Sequence, residues 1–251
     1  MKLLRSRLLG VILIIALLGL WEIVTDTKLV HSPSLPPVSA ILVDWVRLLI
    51  NGTLIAQLGP SLERIAFGYV AAVLVGVTIG LAMGYYRVAY NLLEPLTELL
   101  RPIPSPAYIP LAIIFLGLGD EMKIFVVFFA CIFPILLNTY SGVSAIDPVQ
   151  LNTARTFRLT RAQTVRKIVL PAALPSILTG MRISVGLALI VVVIAEMVAS
   201  NTGIGAFILN AQRFFNVTDM YAGIFTLALL GYALNALFLR AEAHLLRYRA
   251  R

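Results

Sequence analysis

Six long apolar stretches dominate this chain, and they restrict its possible folds more than any other feature of the sequence. A helix needs about 20 consecutive apolar residues to cross a bilayer. Lipid offers the backbone no hydrogen bonds, so only helices and closed barrels span membranes. We therefore predict an all-α, polytopic membrane protein with a single domain over residues 1–251. The six predicted spans cover residues 8–24, 65–86, 102–119, 124–146, 177–199 and 220–239.

The composition supports a membrane protein against two other classes. Hydrophobic residues make up 60% of the chain and charged residues 13%, whereas an average soluble domain is about a quarter charged. Disorder would need low hydrophobicity and high charge, so that class is excluded. The first apolar stretch is also compatible with a secretory signal. Because Trp21, Glu22 and Asp26 follow it instead of a small-residue cleavage site, we expect a retained span.

The basic residues are distributed unevenly between the predicted spans. The 20 basic residues exceed the 12 acidic ones, an excess that in a soluble protein would point to nucleic acid. Membrane proteins instead collect lysine and arginine in cytoplasmic segments. With the N-terminus inside, 13 basic residues are cytoplasmic, and we therefore expect both termini in the cytoplasm and no nucleic-acid partner. The outer segments hold Lys28, Arg47, Arg64, Lys123 and Arg213.

Small residues recur at every fourth position of the second predicted span. Helices in lipid associate through close backbone contact at small residues, because apolar side chains gain little by leaving the lipid tails. The pattern predicts a tight helix contact, either within the chain or between two copies. Its members are Gly68, Ala72, Gly76, Gly80 and Gly84.

The segment 147–175 lies between the fourth and fifth predicted spans and carries two helix-start signals. Asp147 followed by proline is typical of a helix N-terminus, and Thr160 with Gln163 has the spacing of a capping box. We predict two short helices, the second of which ends before residues 170–171. A basic helical hairpin is suited to bind another protein. The alternative is a segment whose charge only orients the chain.

This segment resembles the EAA loop of permease subunits of ATP-binding-cassette importers, which begins E-A-A-x-x-x-G and ends I-x-L-P. The residues that match in register are Ala154, Ile168, Leu170 and Pro171. The chain departs from the pattern at Asn152, at Thr153 and at Arg158, which replaces the glycine. Other motifs look like those of the nitrate, taurine, aliphatic sulfonate and bicarbonate importer permeases; they lie at residues 34–37, 101–104, 117–119, 133–134, 178–182 and 195–197.

The resemblance implies the type I permease fold of ABC importers and a set of partners. These are a second copy of the chain, two ATPase subunits and a periplasmic or surface substrate-binding protein, assembled in the lipid of a bacterial cytoplasmic (inner) membrane. ATP and magnesium would bind to the ATPase subunits, so we expect this chain to bind no cofactor and to be no enzyme. The solute would be small and anionic, like a sulfonate, taurine or nitrate.

The resemblance also assigns a role to the loop, whose first helix would dock on an ATPase subunit and couple it to the membrane helices. Arg158 stands where the family has glycine, and a left-handed backbone there would cost roughly 1 kcal/mol. The residues implied in ATPase coupling are Asn152, Ala154, Arg155, Phe157, Arg158, Leu159, Thr160 and Arg161.

Four polar residues in or beside the predicted spans are candidates for a translocation path, since ionisable groups in lipid are expensive and often functional. Prolines interrupt the third span and leave backbone carbonyls without a hydrogen-bond donor. Such carbonyls are tolerated beside protein or water but not beside lipid. We therefore predict a path beside Arg101, Asn138, Ser141 and Glu196. Arg101 either binds an anionic substrate or is structural. Glu196 is either a gating residue or half of a buried ion pair.

The sequence contains no catalytic motif that we recognise. A phosphate-binding G-x-x-x-x-G-K-[ST] loop is missing, and one cysteine with two distant histidines predicts no metal site. One rival function is an ion- or proton-coupled secondary carrier that uses Glu196 and Arg101. Inverted repeats would favour that carrier, and the sequence shows none. A membrane-embedded enzyme would need clustered carboxylates, histidines or a nucleophile.

Overall fold

A computed structural model of the chain describes residues 2–27 and 34–246, and the regular elements within these ranges are all helical. For residues 2–8 only the backbone is described. We label the α-helices in chain order as α1 Lys2–Asp26, α2 Val38–Ile50, α3 Thr53–Tyr85, α4 Arg87–Leu100, α5 Ile109–Leu116, α6 Asp120–Ser144, α7 Pro148–Thr156, α8 Arg161–Thr164, α9 Leu170–Ala199, α10 Ile204–Arg213 and α11 Val217–Leu245.

Five helical segments among the described residues are long and apolar enough to cross a membrane, namely α1, α3, α6, the stretch from α8 through α9, and α11. The predicted third span over residues 102–119 is interrupted, as its prolines indicated. Only α5 and a 3₁₀ turn at Ser105–Tyr108 are helical there, and eight residues of α-helix extend only about 12 Å. α4 and this segment form one broken element, bent by 89°. Prolines at 102, 104 and 106 cause the break, because each lacks a donor and disfavours helix before it.

A second prediction fails at the end of the segment 147–175. The second loop helix does not end before residues 170–171, because α8 continues through a π-helical turn at Val165–Val169 directly into α9. Proline lacks the backbone N–H, and its ring clashes with the carbonyl one turn back in a regular α-helix. Directly before Pro171 the helix widens into the π turn, where the N–H of Leu170 donates to the carbonyl of Val165, and this change of hydrogen-bond register accommodates the proline. The second half of the loop is therefore helically continuous with α9.

Helices α3, α6 and α9 pack together and enclose most of the buried apolar residues. The glycine stripe of α3 faces α6 within the same chain. A Cβ atom built on Gly80 would lie 2.6 Å from the carbonyl oxygen of Leu136 and 2.6 Å from the Cβ of Thr139. Gly68 and Gly84 meet α6 in the same way, and Ala72 between them is fully buried. The absence of larger side chains thus lets the two helix backbones touch.

The two ends of this bundle differ in chemistry. At one end, which we call the loop end, residues 145–169 lie beside Tyr85 and Tyr86 at the end of α3. At the opposite end, which we call the far end, residues 118–120 lie beside residues 197–202 and Arg213. Helix α1 leaves its described apolar side chains largely exposed, as expected of a helix surrounded by lipid or by another chain.

Candidate functional site

Both predicted helix starts in the loop are confirmed. The carboxylate of Asp147 accepts a hydrogen bond from the backbone N–H of Val149 at 2.8 Å. The N–H of Gln163 donates to the hydroxyl oxygen of Thr160 at 3.3 Å, and the N–H of Thr160 donates to the amide oxygen of Gln163 at 2.9 Å. These caps satisfy backbone donors that a helix start leaves without partners. Local sequence therefore determines where α7 and α8 begin.

The turn between α7 and α8 has a left-handed backbone at Arg158, with φ of +52°. The N–H of Arg158 donates to the carbonyl of Arg155, and the N–H of Leu159 donates to the carbonyl of Ala154, both at 3.0 Å. This pair of bonds defines a Schellman motif, in which glycine normally occupies the left-handed position. The turn thus keeps the geometry that glycine favours while presenting an arginine side chain.

Replacing Arg158 with glycine is expected to stabilise the protein, because it removes a left-handed strain of roughly 1 kcal/mol. The measurement is the thermal unfolding midpoint of the purified protein in detergent, which we expect to rise. Arg166→Gly is the matched control: Arg166 is also exposed, but it lies in a helical turn, where glycine costs up to about 1 kcal/mol. A fall in the midpoint for Arg158→Gly would contradict the strain argument.

The structure divides the eight predicted coupling residues into two groups. Ala154 is buried and Leu159 is half-buried, so these two hold the loop against the bundle. Phe157 is 74% exposed at the tip of the turn, and a large aromatic side chain in that position is typical of a residue that anchors a protein interface. The remaining exposed residues are Asn152, Arg155, Arg158, Thr160 and Arg161.

An ion cluster lies at the far end. Its buried members are Ser61, Arg64 and Glu196, and its exposed member is Asp120. Glu196 is completely buried and Arg64 is 3% exposed. The Nη1 atom of Arg64 lies 2.7 Å from Oε1 of Glu196. The hydroxyl of Ser61 donates to the same carboxylate at 2.8 Å, and the backbone N–H of Gly205 donates to its Oε2 atom at 2.9 Å.

The remaining donors of Arg64 are also satisfied. Its Nε atom donates to Asp120 at 2.8 Å, and two further bonds reach the carbonyl and the hydroxyl of Thr202, both at 2.9 Å. A charge buried in protein is stable only with such partners. The geometry favours the buried ion pair over the gating role for Glu196, because the carboxylate is fully engaged in joining α3, α9 and α10.

Sequence reasoning missed this cluster because it assigned Arg64 and Lys123 to outer segments. Both side chains are buried, and the ammonium of Lys123 donates to the carbonyls of Leu118 and Gly119, each at 2.9 Å. The sequence did contain a signal for this cluster. Arg64 and Lys123 each directly precede a predicted span, and the carboxylate of Glu196 interrupts the fifth predicted span.

The other predicted path residues do not converge on one site. Arg101 is exposed, lies 3.5 Å from the carboxylate of Glu98, and lines a cleft of about 300 Å³ that Asn138, Ser141 and Glu196 do not line. The amide of Asn138 donates to the carbonyl of Pro134 at 2.8 Å, which is one turn back in the same helix. Ser141 is exposed on α6. The translocation path beside these four residues therefore stays a prediction.

Comparison with known proteins identifies the family of this chain. The sequence model of one family, described as the binding-protein-dependent transport system inner membrane component, matches residues 72–249. A taurine transport system permease protein of Escherichia coli is 34% identical over 92% of this chain and 86% of its own length. A nitrate import permease protein of Leptolyngbya laminosa is 31% identical over 94% of this chain and 86% of its own length.

A solved structure shares the fold. Inward-facing conformations of the MetNI methionine ABC transporter include a chain that superposes with a TM-score of 0.69, at 18% sequence identity. The match covers 77% of this chain and 96% of that one. The family model, the relatives and the shared fold lead to one conclusion: this chain belongs to the inner membrane permease components of binding-protein-dependent ABC importers.

Proposed function

We propose that this chain forms the membrane path of an ATP-driven importer for a small anionic solute, working as a homodimer with two ATPase subunits and an external binding protein. The observation that carries the proposal is the capped helical loop, which exposes Phe157 at its tip and is continuous with α9. ATP and magnesium bind to the partner ATPase in this proposal. The two relatives described above are named for taurine and nitrate. Nitrate is an anion, and taurine carries an anionic sulfonate group.

The loop suits docking on an acidic groove of an ATPase subunit. Phe157 supplies an exposed aromatic anchor, and Arg158 stands beside it with its side chain exposed. Aromatic and arginine side chains dominate the binding energy of protein interfaces. Because α8 runs through the π turn into α9, a displacement of the loop reaches the membrane helices without passing through a flexible linker.

The proposal places the loop end and both chain termini in the cytoplasm. The five basic residues of the segment 147–175 lie there, in agreement with the positive-inside bias. Two of the five basic residues assigned to outer segments, Arg64 and Lys123, are buried. These two cations bond to internal acceptors, Arg64 to Glu196 and Lys123 to the carbonyls of Leu118 and Gly119.

Replacing both Phe157 and Arg158 with glutamate is expected to prevent co-purification of the ATPase subunit, because the change removes the anchor and repels an acidic groove. Loss of a single interface anchor weakens binding by about 2 kcal/mol or more, which is roughly 30-fold in Kd. Arg166→Glu is the control, since it reverses a charge in the same loop away from the tip. An ATPase that still co-purifies with the double variant would refute this docking surface.

The secondary carrier is the alternative class, and the structure removes one argument for it. A proton or ion relay would need Glu196 to exchange its partners, whereas its carboxylate accepts bonds from Ser61, Arg64 and Gly205. Uptake of taurine driven by an ion gradient alone, in vesicles that contain this chain without an ATPase, would favour the carrier.

A further inference from the structure

A cleft at the loop end, separate from the cleft beside Arg101, has two arginines and two tyrosines among its lining residues. Three of its lining residues, Arg155, Leu159 and Arg161, are also predicted coupling residues. Its volume is about 510 Å³. It lies between the end of α3 and the inner side of the loop, and no aspartate or glutamate is among the residues that line it. We call it the arginine cleft; its principal residues are Tyr85, Tyr86, Arg155, Leu159, Arg161 and Thr164.

The strained turn brings the two arginines to one cleft. Arg155 lies in the last turn of α7 and Arg161 is the first residue of α8, and the left-handed residue between them reverses the chain. Neither guanidinium forms an ion pair with a carboxylate of the described residues; Arg155 contacts only the side-chain oxygen of Asn152, at 3.3 Å. Arg155 and Arg161 thus both line one cleft, and neither has a carboxylate partner among the described residues.

The arginine cleft lies where the apolar helix α3 ends, which is the level at which we expect the membrane–water interface. The apolar helix α3 ends at Tyr85, whose ring packs edge-on against Tyr86 with centroids 4.9 Å apart. Nearby, Tyr90 of α4 stacks on Tyr140 of α6 at 5.2 Å. Tyrosines concentrate where lipid headgroups meet water. We therefore expect lipid headgroups to lie at the same depth in the membrane as the arginine cleft.

An apolar track begins beside this cleft. Helix α4 starts directly after Tyr86, and one of its faces exposes four aliphatic side chains at helical spacing. These are Val88, Leu92, Leu96 and Leu99. A cationic cleft joined to an apolar track is complementary to an amphiphile with an anionic head, whereas a free inorganic ion would use only the cleft.

We propose that the arginine cleft binds the phosphate of an anionic phospholipid, whose acyl chains lie along the exposed face of α4. The guanidinium groups of Arg155 and Arg161 bind the phosphate oxygens, since arginine matches phosphate with paired hydrogen bonds. The tyrosine hydroxyls supply further donors. The site makes the position of the loop sensitive to lipid composition, and it does not depend on which solute the protein transports.

The test measures lipid retention by the purified full-length chain in detergent, using native mass spectrometry during titration with phosphatidylglycerol. We expect the double variant Arg155→Gln/Arg161→Gln to bind phosphatidylglycerol at least tenfold more weakly than the wild-type chain. Arg155→Lys/Arg161→Lys keeps the charge but loses the paired hydrogen bonds, so we expect an intermediate loss. Arg166→Gln, outside the cleft, is the control and is expected to bind normally. Thermal unfolding midpoints show whether each variant is folded.

Three results would overturn the proposal. Equal retention of phosphatidylcholine would show that the cleft does not select a negative charge. Loss of binding in Arg166→Gln as large as in the double variant would assign the effect to general surface charge. If inorganic phosphate displaced the lipid at equal concentration, or alone stabilised the chain to the same extent, the site would be a phosphate site without a lipid role.

Discussion

Replacing Glu196 with alanine is expected to destabilise the protein by about 3–5 kcal/mol, the cost of breaking one side of a buried ion pair. The change leaves the guanidinium of Arg64 buried with only the largely exposed carboxylate of Asp120 as counter-charge. It also leaves Ser61 and Gly205 without their acceptor. The measurement is unfolding of the purified chain in detergent by heat or denaturant.

Asp120→Ala is the matched control, because it removes the other carboxylate bound to the same arginine. The side chain of Asp120 is 59% exposed, and ion pairs with exposed partners contribute only about 0–1 kcal/mol. We expect its effect to be several times smaller than that of Glu196→Ala. A second variant, Arg64→Met/Glu196→Leu, removes both buried charges and is expected to recover much of the stability.

This comparison also separates the two roles proposed for Glu196. If Glu196→Ala unfolded like the wild-type chain but lost transport, the residue would act in gating and the structural role would be refuted. If stability is lost and the apolar double variant restores it, the carboxylate serves to hold α3 and α10 together. The second outcome is expected, since the described contacts of Glu196 are all internal.

Replacing Gly80 with alanine is expected to destabilise the contact between α3 and α6 by about 1–3 kcal/mol, the usual cost of overpacking a core. The added methyl group would lie 2.6 Å from the backbone oxygen of Leu136, and backbone cannot move aside as a flexible side chain can. We expect a lower unfolding midpoint and lower yield of folded protein in detergent.

Gly186→Ala in α9 is the control with the opposite expected sign. A Cβ atom at Gly186 would meet nothing within 4 Å, and alanine favours helix over glycine by up to about 1 kcal/mol. The midpoint of Gly186→Ala should therefore stay the same or rise. Equal destabilisation by both substitutions would show that the stripe does not act through close packing.

Local features of the loop were predictable because they depend on residues a few positions apart. The caps at Asp147 and Thr160 form with backbone groups two or three residues away, so the sequence contains both partners. The four-residue spacing of the stripe likewise predicts a helix contact, although not which helix it meets. The family match confirms the class of protein that the loop and its flanking motifs indicated.

Predictions failed where one signal had two physical outcomes. Proline predicted the end of a helix before residue 171, yet the π turn directly before Pro171 lets the helix continue. In the segment 102–119, hydropathy predicted a span that prolines interrupt, and it did not predict the 89° bend of the broken element. Hydropathy measures how well a segment dissolves in lipid, and it does not report whether the backbone can stay helical.

The sequence by itself determined that this is a helical membrane protein with a capped, basic loop, because solubility in lipid and helix capping are local properties of the chain. Only the tertiary structure decided that Arg64 pairs with Glu196, 132 residues away, and that Arg155 and Arg161 line one cleft. The pairing depends on the packing of α3 against α9 and α6. The cleft depends on a left-handed dihedral at Arg158, which arginine does not favour and which the hydrogen bonds of the turn impose.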